Sequence, residues 1–274
     1  MEQPPTRVKI PDLARRKAQG EKITMLTAYD ATMARLLDAA GIDVLLVGDS
    51  LGMVILGYED TIPVTMDDML HHTRAVMRGA RRSLVVADLP FLTYHASESE
   101  AIRNAGRLMQ EGGASSIKME GGTAIAQTVR RIVDAGIPVM GHIGLTPQSV
   151  RAVGGFRYTG RTPEEADQLL TDARALQDAG VFAVVLECMA ADAAARITSE
   201  LKIPTIGIGA GAGCDGQVLV SYDMAGLFQG FTPRFVKRYA DLASELTRAA
   251  TEYADDVRNG RFPAREHSFG AGGS

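Results

Sequence analysis

Short apolar runs of strand type recur along the chain, and helical periodicity fills most of the gaps between them. The runs fall near 23–29, 43–47, 84–88, 115–119, 137–142, 182–187, 204–208 and 217–220, eight in all. Met33, Leu36, Leu37 and Ala40 recur at helical spacing behind Asp30, which suits a helix cap, and Gly41 suits the helix end. Residues 65–79 predict another helix, with Met69, Leu70, Thr73, Val76 and Met77 on one side. Ser97 with Glu100, and Thr162 with Glu165, have capping-box spacing, and Pro163 fits a first helical position. Thr232-Pro233 predicts the start of a last long helix reaching about Asn259.

Eight strands alternating with helices in 274 residues predict an α/β fold, a single-domain (β/α)8 TIM barrel. A doubly wound open sheet is the alternative, because a strand count does not by itself close a barrel. The expected boundaries are an N-terminal extension packing on the barrel over 1–22, the barrel over 23–259, and a tail over 260–274. The extension is polar, with prolines at 4, 5 and 11, and Ile10 to Gly20 could hold a short helix outside the main core. The tail ends GAGGS and reads as frayed.

Composition narrows the function. Apolar residues make up 46% and charged residues 23%, enough for a sizeable core. The net charge is −4 with no basic block, which argues against a nucleic-acid partner. Cys188 and Cys214 are too few for a disulfide framework or a zinc cluster. No apolar run reaches the 18 or so residues of a membrane span, and MEQPPTRVKIPDL lacks a signal-peptide core. The expectation is a soluble cytoplasmic protein with no membrane partner.

Acids stand where four of the strands end. Asp49 follows VLLVG, Asp88 ends SLVVAD, Glu120 ends SSIKME and Glu187 ends FAVVLE. Carboxylates at the C-terminal ends of parallel strands converge on the ligand-binding mouth of such folds. Each could instead cap a helix. Against that, Asp49 precedes a turn, Asp88 precedes Leu89-Pro90, Glu120 precedes Gly121-Gly122, and Glu is a poor cap. Four carboxylates in one place need a bound cation or protons between them. An all-oxygen set suits a hard ion such as Mg²⁺, leaving one acid free for proton transfer.

Lys118 lies two residues before Glu120 and shares its face of the strand. It reads either as a balancing ion pair or as a clamp for an anionic substrate oxygen. A Schiff-base role is disfavoured, because neighbouring acids keep the amine protonated. His142 ends the fifth strand, as a structural group or a substrate hydrogen bond; His71 and His72 read as surface or packing residues. The glycine-rich IGIGAGAGCDG reads as a tight turn with close backbone packing ahead of a phosphate cradle. Two long loops, Leu51 to Thr65 and Ile143 to Thr162, lie on the acid side, where they could cover a site or serve packing.

The stretches KITMLTAYD, LLVGDSLGMVILGYEDTIPVT, LVVADLPF, IKMEGG, GHIGLTPQSV, VLEC and IPTIGIGAGAGCDGQVLV, in this order, resemble the ketopantoate hydroxymethyltransferase family from about residue 12 to 230. The resemblance implies a (β/α)8 barrel and Mg²⁺-dependent transfer of a one-carbon unit from 5,10-methylenetetrahydrofolate to 3-methyl-2-oxobutanoate. It implies one Mg²⁺ per subunit, a place in pantothenate biosynthesis, and a homo-oligomer, typically a decamer. It also implies Asp49, Asp88 and Glu120 at the metal, Ser50, Asp88 and Lys118 at the keto acid, and Glu187 as proton acceptor; from their place on the same rim, Asp49 and His142 are expected at the keto acid too. The chain departs from the family at Met189-Ala190 and at Phe156-Arg157-Tyr158-Thr159, on the side of the folate and loop closure. Two other readings are a Mg²⁺-dependent lyase or mutase of the phosphoenolpyruvate mutase and isocitrate lyase kind, and a non-catalytic barrel that sequesters a keto acid. The first lacks its loop cysteine here; the intact acids speak against the second.

Overall fold

The computed structural model describes residues 6–155 and 158–269. Pro4, Pro5, Phe156, Arg157 and the terminal GAGGS lie outside the described residues. Two compact units are present, Met1–Ser221 and Tyr222–Ser274.

Within the first unit eight strands close into a barrel in sequence order, every neighbouring pair parallel. They are β1 Ile23–Thr27, β2 Val44–Val47, β3 Leu84–Asp88, β4 Ser116–Glu120, β5 Val139–Gly144, β6 Ala183–Glu187, β7 Thr205–Ile208 and β8 Gly216–Leu219. Closure excludes the open sheet. The strand positions agree with the apolar runs because both faces of a barrel strand are covered, one by the lumen and one by helices.

Alternate residues fill the lumen. Met25, Val44, Leu46, Leu84, Val86, Met140, Ala183, Val185, Ile206 and Val218 belong to one buried cluster. Val8 and Leu13 join it. Leu13 lies on the helix Ile10–Gln19, so this helix reaches the main core, contrary to the expectation that it stays outside. It lies at the N-terminal end of the strands, where Arg16 meets Asp43 at 2.8 Å and Lys17 meets Asp215 at 2.7 Å. Asp43 immediately precedes β2, and Asp215 immediately precedes β8.

The helix Met66–Gly79 starts at Thr65, which forms a capping box with Asp68, and buries Met69, Leu70, Thr73 and Val76. The helix Ala31–Ala39 differs from its apolar stripe. Ala34 and Leu37 are buried, while Leu36 is 63% exposed. Close approach explains the rotation: a Cβ on Gly79 would strike the Ala31 carbonyl and meet the Ala34 methyl at 2.8 Å. Small residues set that contact, and Leu36 is turned out.

The glycine-rich loop between β7 and β8 is a packed turn, as expected. A Cβ on Gly211 would meet Ala191 at 2.6 Å and one on Gly213 would meet Ala195 at 2.9 Å. In the second unit the helix is Leu242–Arg258, not one opening at Thr232-Pro233. Pro233 closes only a single turn to Val236, and Asp241 caps the helix by accepting from Ser244. Among the described residues no helix is long and apolar enough to cross a membrane.

Candidate active site

The lumen turns ionic at the C-terminal ends of β3 to β6. Register does this: Asp88 lies beside Lys118, Glu120 beside His142, and Gly144 beside Glu187. Side-by-side residues on parallel strands share a face, so the acids noted along the chain face one mouth. Asp49 joins them from the turn after β2.

The contacts run as an unbroken chain. The Asp49 backbone N–H donates to Asp88 Oδ2 at 3.0 Å. Lys118 Nζ stands 2.9 Å from Asp88 Oδ1, 3.9 Å from Glu120 Oε1 and 3.4 Å from His142 Nδ1. His142 Nδ1 is 3.3 Å from Glu120 Oε1, and its Nε2 is 3.2 Å from Glu187 Oε2. The last of these is close without being aligned as a hydrogen bond. Asp49, Asp88, Lys118, Glu120 and His142 are all buried; the Glu187 side chain is the most open, at 16% exposure. Ser50 bonds the Tyr29 hydroxyl at 2.9 Å beside this chain.

Local backbone makes these positions. Gly48 lets the chain pass close, since a Cβ there would meet Ser50 Oγ at 2.8 Å and Asp88 Oδ2 at 3.5 Å. Asp49 caps no helix; the single turn Leu51–Val54 begins at Ser50, without a side-chain cap. Gly144 has φ +98°, and a Cβ there would strike the Glu187 carbonyl oxygen. Leu145 N–H donates to that same oxygen at 2.9 Å, and Cys188, at φ +48°, donates to Ile208 at 2.8 Å. Glu187 is thereby held between β5 and β7.

Charge at the mouth is unbalanced. Four carboxylates face one ammonium and one imidazole. Burial, then the charges of Asp88 and Glu120, push the Asp49 carboxyl well above its usual range. Burial also raises Asp88, against the pull of Lys118. Glu120 ends below its usual value, because His142 and Lys118 outweigh its burial. Burial and Lys118 oppose the charge on His142, but Glu120 and Glu187 prevail and lift it to about 9. Lys118 is held protonated by the three acids despite its burial, which removes it as a neutral amine nucleophile. Cys188 is raised to about 12 by burial and then by Glu187, so it is no thiolate at neutral pH.

Two residues of this mouth escape sequence reasoning, Gln148 and Tyr94. Gln148 Nε2 donates to Asp49 Oδ2 at 2.8 Å, and its backbone N–H donates to Glu120 Oε2 at 3.1 Å. Tyr94 bonds the Glu120 backbone and the Gln148 side chain. The only local signal was a polar amide in a long loop on the acid side.

The family model described as ketopantoate hydroxymethyltransferase matches residues 7–265. The chain is 60% identical to the 3-methyl-2-oxobutanoate hydroxymethyltransferase of Syntrophus aciditrophicus (strain SB), over 92% of this chain and 93% of that one. It is 59% identical to the enzyme of the same name from Moorella thermoacetica, over 96% and 98%. Among solved structures it resembles a phosphoenolpyruvate phosphomutase from Streptomyces platensis subsp. rosaceus, with TM-score 0.62 and 14% identity over 95% and 91% of the two chains. It also resembles a phosphonopyruvate hydrolase solved with oxalate and Mg²⁺, with TM-score 0.60 and 13% identity over 94% and 92%. At such identities the likeness speaks to the barrel alone.

Proposed function

Because this chain belongs to the ketopantoate hydroxymethyltransferase family and is a hydroxymethyltransferase, we propose that it moves a hydroxymethyl group from 5,10-methylenetetrahydrofolate to 3-methyl-2-oxobutanoate, giving ketopantoate for pantothenate synthesis. The observation that carries the site assignment is the surplus of buried carboxylate at one barrel mouth. Asp49, Asp88 and Glu120 lie in one contact network with a single lysine. Among the described residues no three His, Cys, Asp or Glu side chains form a ready-made metal cage. Magnesium does not ask for one: it keeps waters and takes one or two carboxylates plus substrate oxygens. The hard-oxygen donor set and the raised Asp49 and Asp88 therefore fit a Mg²⁺ ion. When bound, it would stabilise the negative charge that develops on the keto oxygen as the C3 proton leaves.

The chain's own groups do the rest. Glu187, the most open acid, is the base that takes the C3 proton. His142 Nε2, 3.2 Å from its Oε2, places positive charge beside that carboxylate. His142 Nε2, which makes no aligned hydrogen bond within the site, is free to donate to a keto-acid oxygen, in line with the sequence-based expectation. Lys118 supplies a fixed positive charge near the substrate carboxylate, and Ser50 a hydroxyl already oriented by Tyr29. The apolar lumen floor below, including Val86, Met140 and Val185, excludes water from the reacting carbon. The carbon nucleophile so formed attacks the methylene carbon of the folate iminium; the C–N bond to the folate then breaks, water supplies the hydroxyl group, and tetrahydrofolate leaves. We also assign a homo-oligomer, a decamer by family resemblance; a monomer mass in light scattering would end that part.

Deuterium exchange at C3 of 3-methyl-2-oxobutanoate, followed by NMR in D₂O, tests the reading. Exchange is expected with Mg²⁺, to be lost on chelation and restored by metal. Product is expected only when the folate donor is added. Exchange indifferent to chelation would remove the metal from the mechanism.

A further inference from the structure

Gln148 lies in the turn Pro147–Ser149 of the loop after β5 and is 5% exposed. Its side-chain amide is fully used. Nε2 donates to Asp49 Oδ2 at 2.8 Å and to the Leu89 carbonyl at 2.9 Å. Oε1 accepts from the Tyr94 hydroxyl at 2.7 Å. The reverse amide orientation would set a carbonyl against two oxygens, so the network allows one orientation. Tyr94 is itself held, because its oxygen accepts from the Glu120 backbone N–H at 3.2 Å and its one proton lies between Gln148 Oε1 at 2.7 Å, the shorter contact, and the Glu120 carbonyl at 3.1 Å. The Gln148 backbone N–H holds Glu120 Oε2 at 3.1 Å. Three residues on, Arg151 ties the same loop to Asp60 at 2.7 Å.

The consequence differs for each acid. Both Glu120 oxygens are engaged, one by Gln148 N–H and one by His142. Asp88 Oδ2 accepts from the Asp49 N–H, while its Oδ1 stands 2.9 Å from Lys118 Nζ as an ion pair without an aligned hydrogen bond. Asp49 has only Oδ2 engaged; among the described residues no donor takes its Oδ1. We propose that Gln148 is a positioning residue for the cation site, pinning one oxygen of Asp49 so that the other faces the ion, with Tyr94 holding Gln148 in turn. This rests on the reading that these acids serve a divalent cation.

The test is Mn²⁺ binding, read by the loss of the free-ion electron paramagnetic resonance signal, in the wild type, Gln148→Leu and Tyr94→Phe. Circular dichroism and the thermal midpoint are recorded on each protein. Gln148→Leu is expected to bind Mn²⁺ about 10- to 100-fold more weakly, as loss of a group that orients a ligand does. Tyr94→Phe keeps the ring and is expected to lose about 3- to 10-fold. A purely structural role would lower the thermal midpoint and leave the affinity of the folded protein unchanged. Wild-type affinity in folded Gln148→Leu overturns the assignment. If that variant does not fold, wild-type affinity in Tyr94→Phe overturns it equally. Absence of Mn²⁺ binding in the wild type would instead remove the cation reading and this inference with it.

Discussion

At the N-terminal end of the barrel, buried Asp43 receives Arg16 at 2.8 Å, Arg82 at 2.9 Å, and both the N–H and the hydroxyl of Thr24. Asp215 nearby receives Lys17 at 2.7 Å and the Thr205 N–H at 2.9 Å. At the opposite end, Asp49, Asp88, Glu120 and Glu187 share one lysine and one histidine. Carboxylates are packed at both ends, yet one end is matched by cations and the other is starved of them. A carboxylate matched by cations and hydrogen bonds holds structure together; unmatched buried carboxylates cost stability unless a ligand completes them. The difference separates a joint from a site, and it does so without reference to any relative.

The largest effect expected at the starved end is on rate. Glu187→Gln should lower C3 exchange about 10²- to 10⁴-fold, the usual worth of a positioned base. Keto-acid binding by calorimetry should stay within a few-fold, because the variant keeps size and polarity. Undiminished exchange would take Glu187 out of the role.

At the supplied end the expected effect is on stability. Asp43→Ala strands two guanidinium groups and the Thr24 donors, and should cost about 3 kcal/mol in urea unfolding. A loss below about 1 kcal/mol would mean that the two ends do not differ as described.

The smallest effect carries the sharpest sign. Asp49→Asn removes surplus charge, so the metal-free variant should be more stable than the metal-free wild type at pH 7, by about 1 kcal/mol. The same change should weaken Mg²⁺ binding. The pH dependence follows from the raised Asp49 carboxyl. Between the ordinary carboxylate value and the raised one, the folded state binds more protons than the unfolded state. The penalty at Asp49 is therefore present at neutral pH and relieved as pH falls through the raised value. The stability gap between variant and wild type should shrink over that fall, and a gap constant with pH would contradict the charge account.

Much of this arrangement was legible along the chain. Alternating apolar runs located all eight strands to within a few residues, because barrel strands are buried on both faces. Asp88, Glu120 and Glu187 were readable as strand-end acids, since strand ends are local features of sequence. Gln148 and Tyr94 were not, because their partners lie 26 to 99 positions away and nothing near them marks the contact. Leu36 misled because the Gly79–Ala31 approach, not hydrophobicity, set the roll of its helix. Thr232-Pro233 misled because capping chemistry permits a helix start without requiring one.

The sequence alone determined the period of the strands, the acids at their ends and the pairing of Lys118 with Glu120 on one face, because each depends on neighbours a few residues apart. Only the tertiary structure decided that the ring closes, that Asp88 and His142 flank that lysine, and that Gln148 reaches down onto Asp49. Those facts depend on strand register and loop seating, which arise when segments far apart in the chain pack against one another.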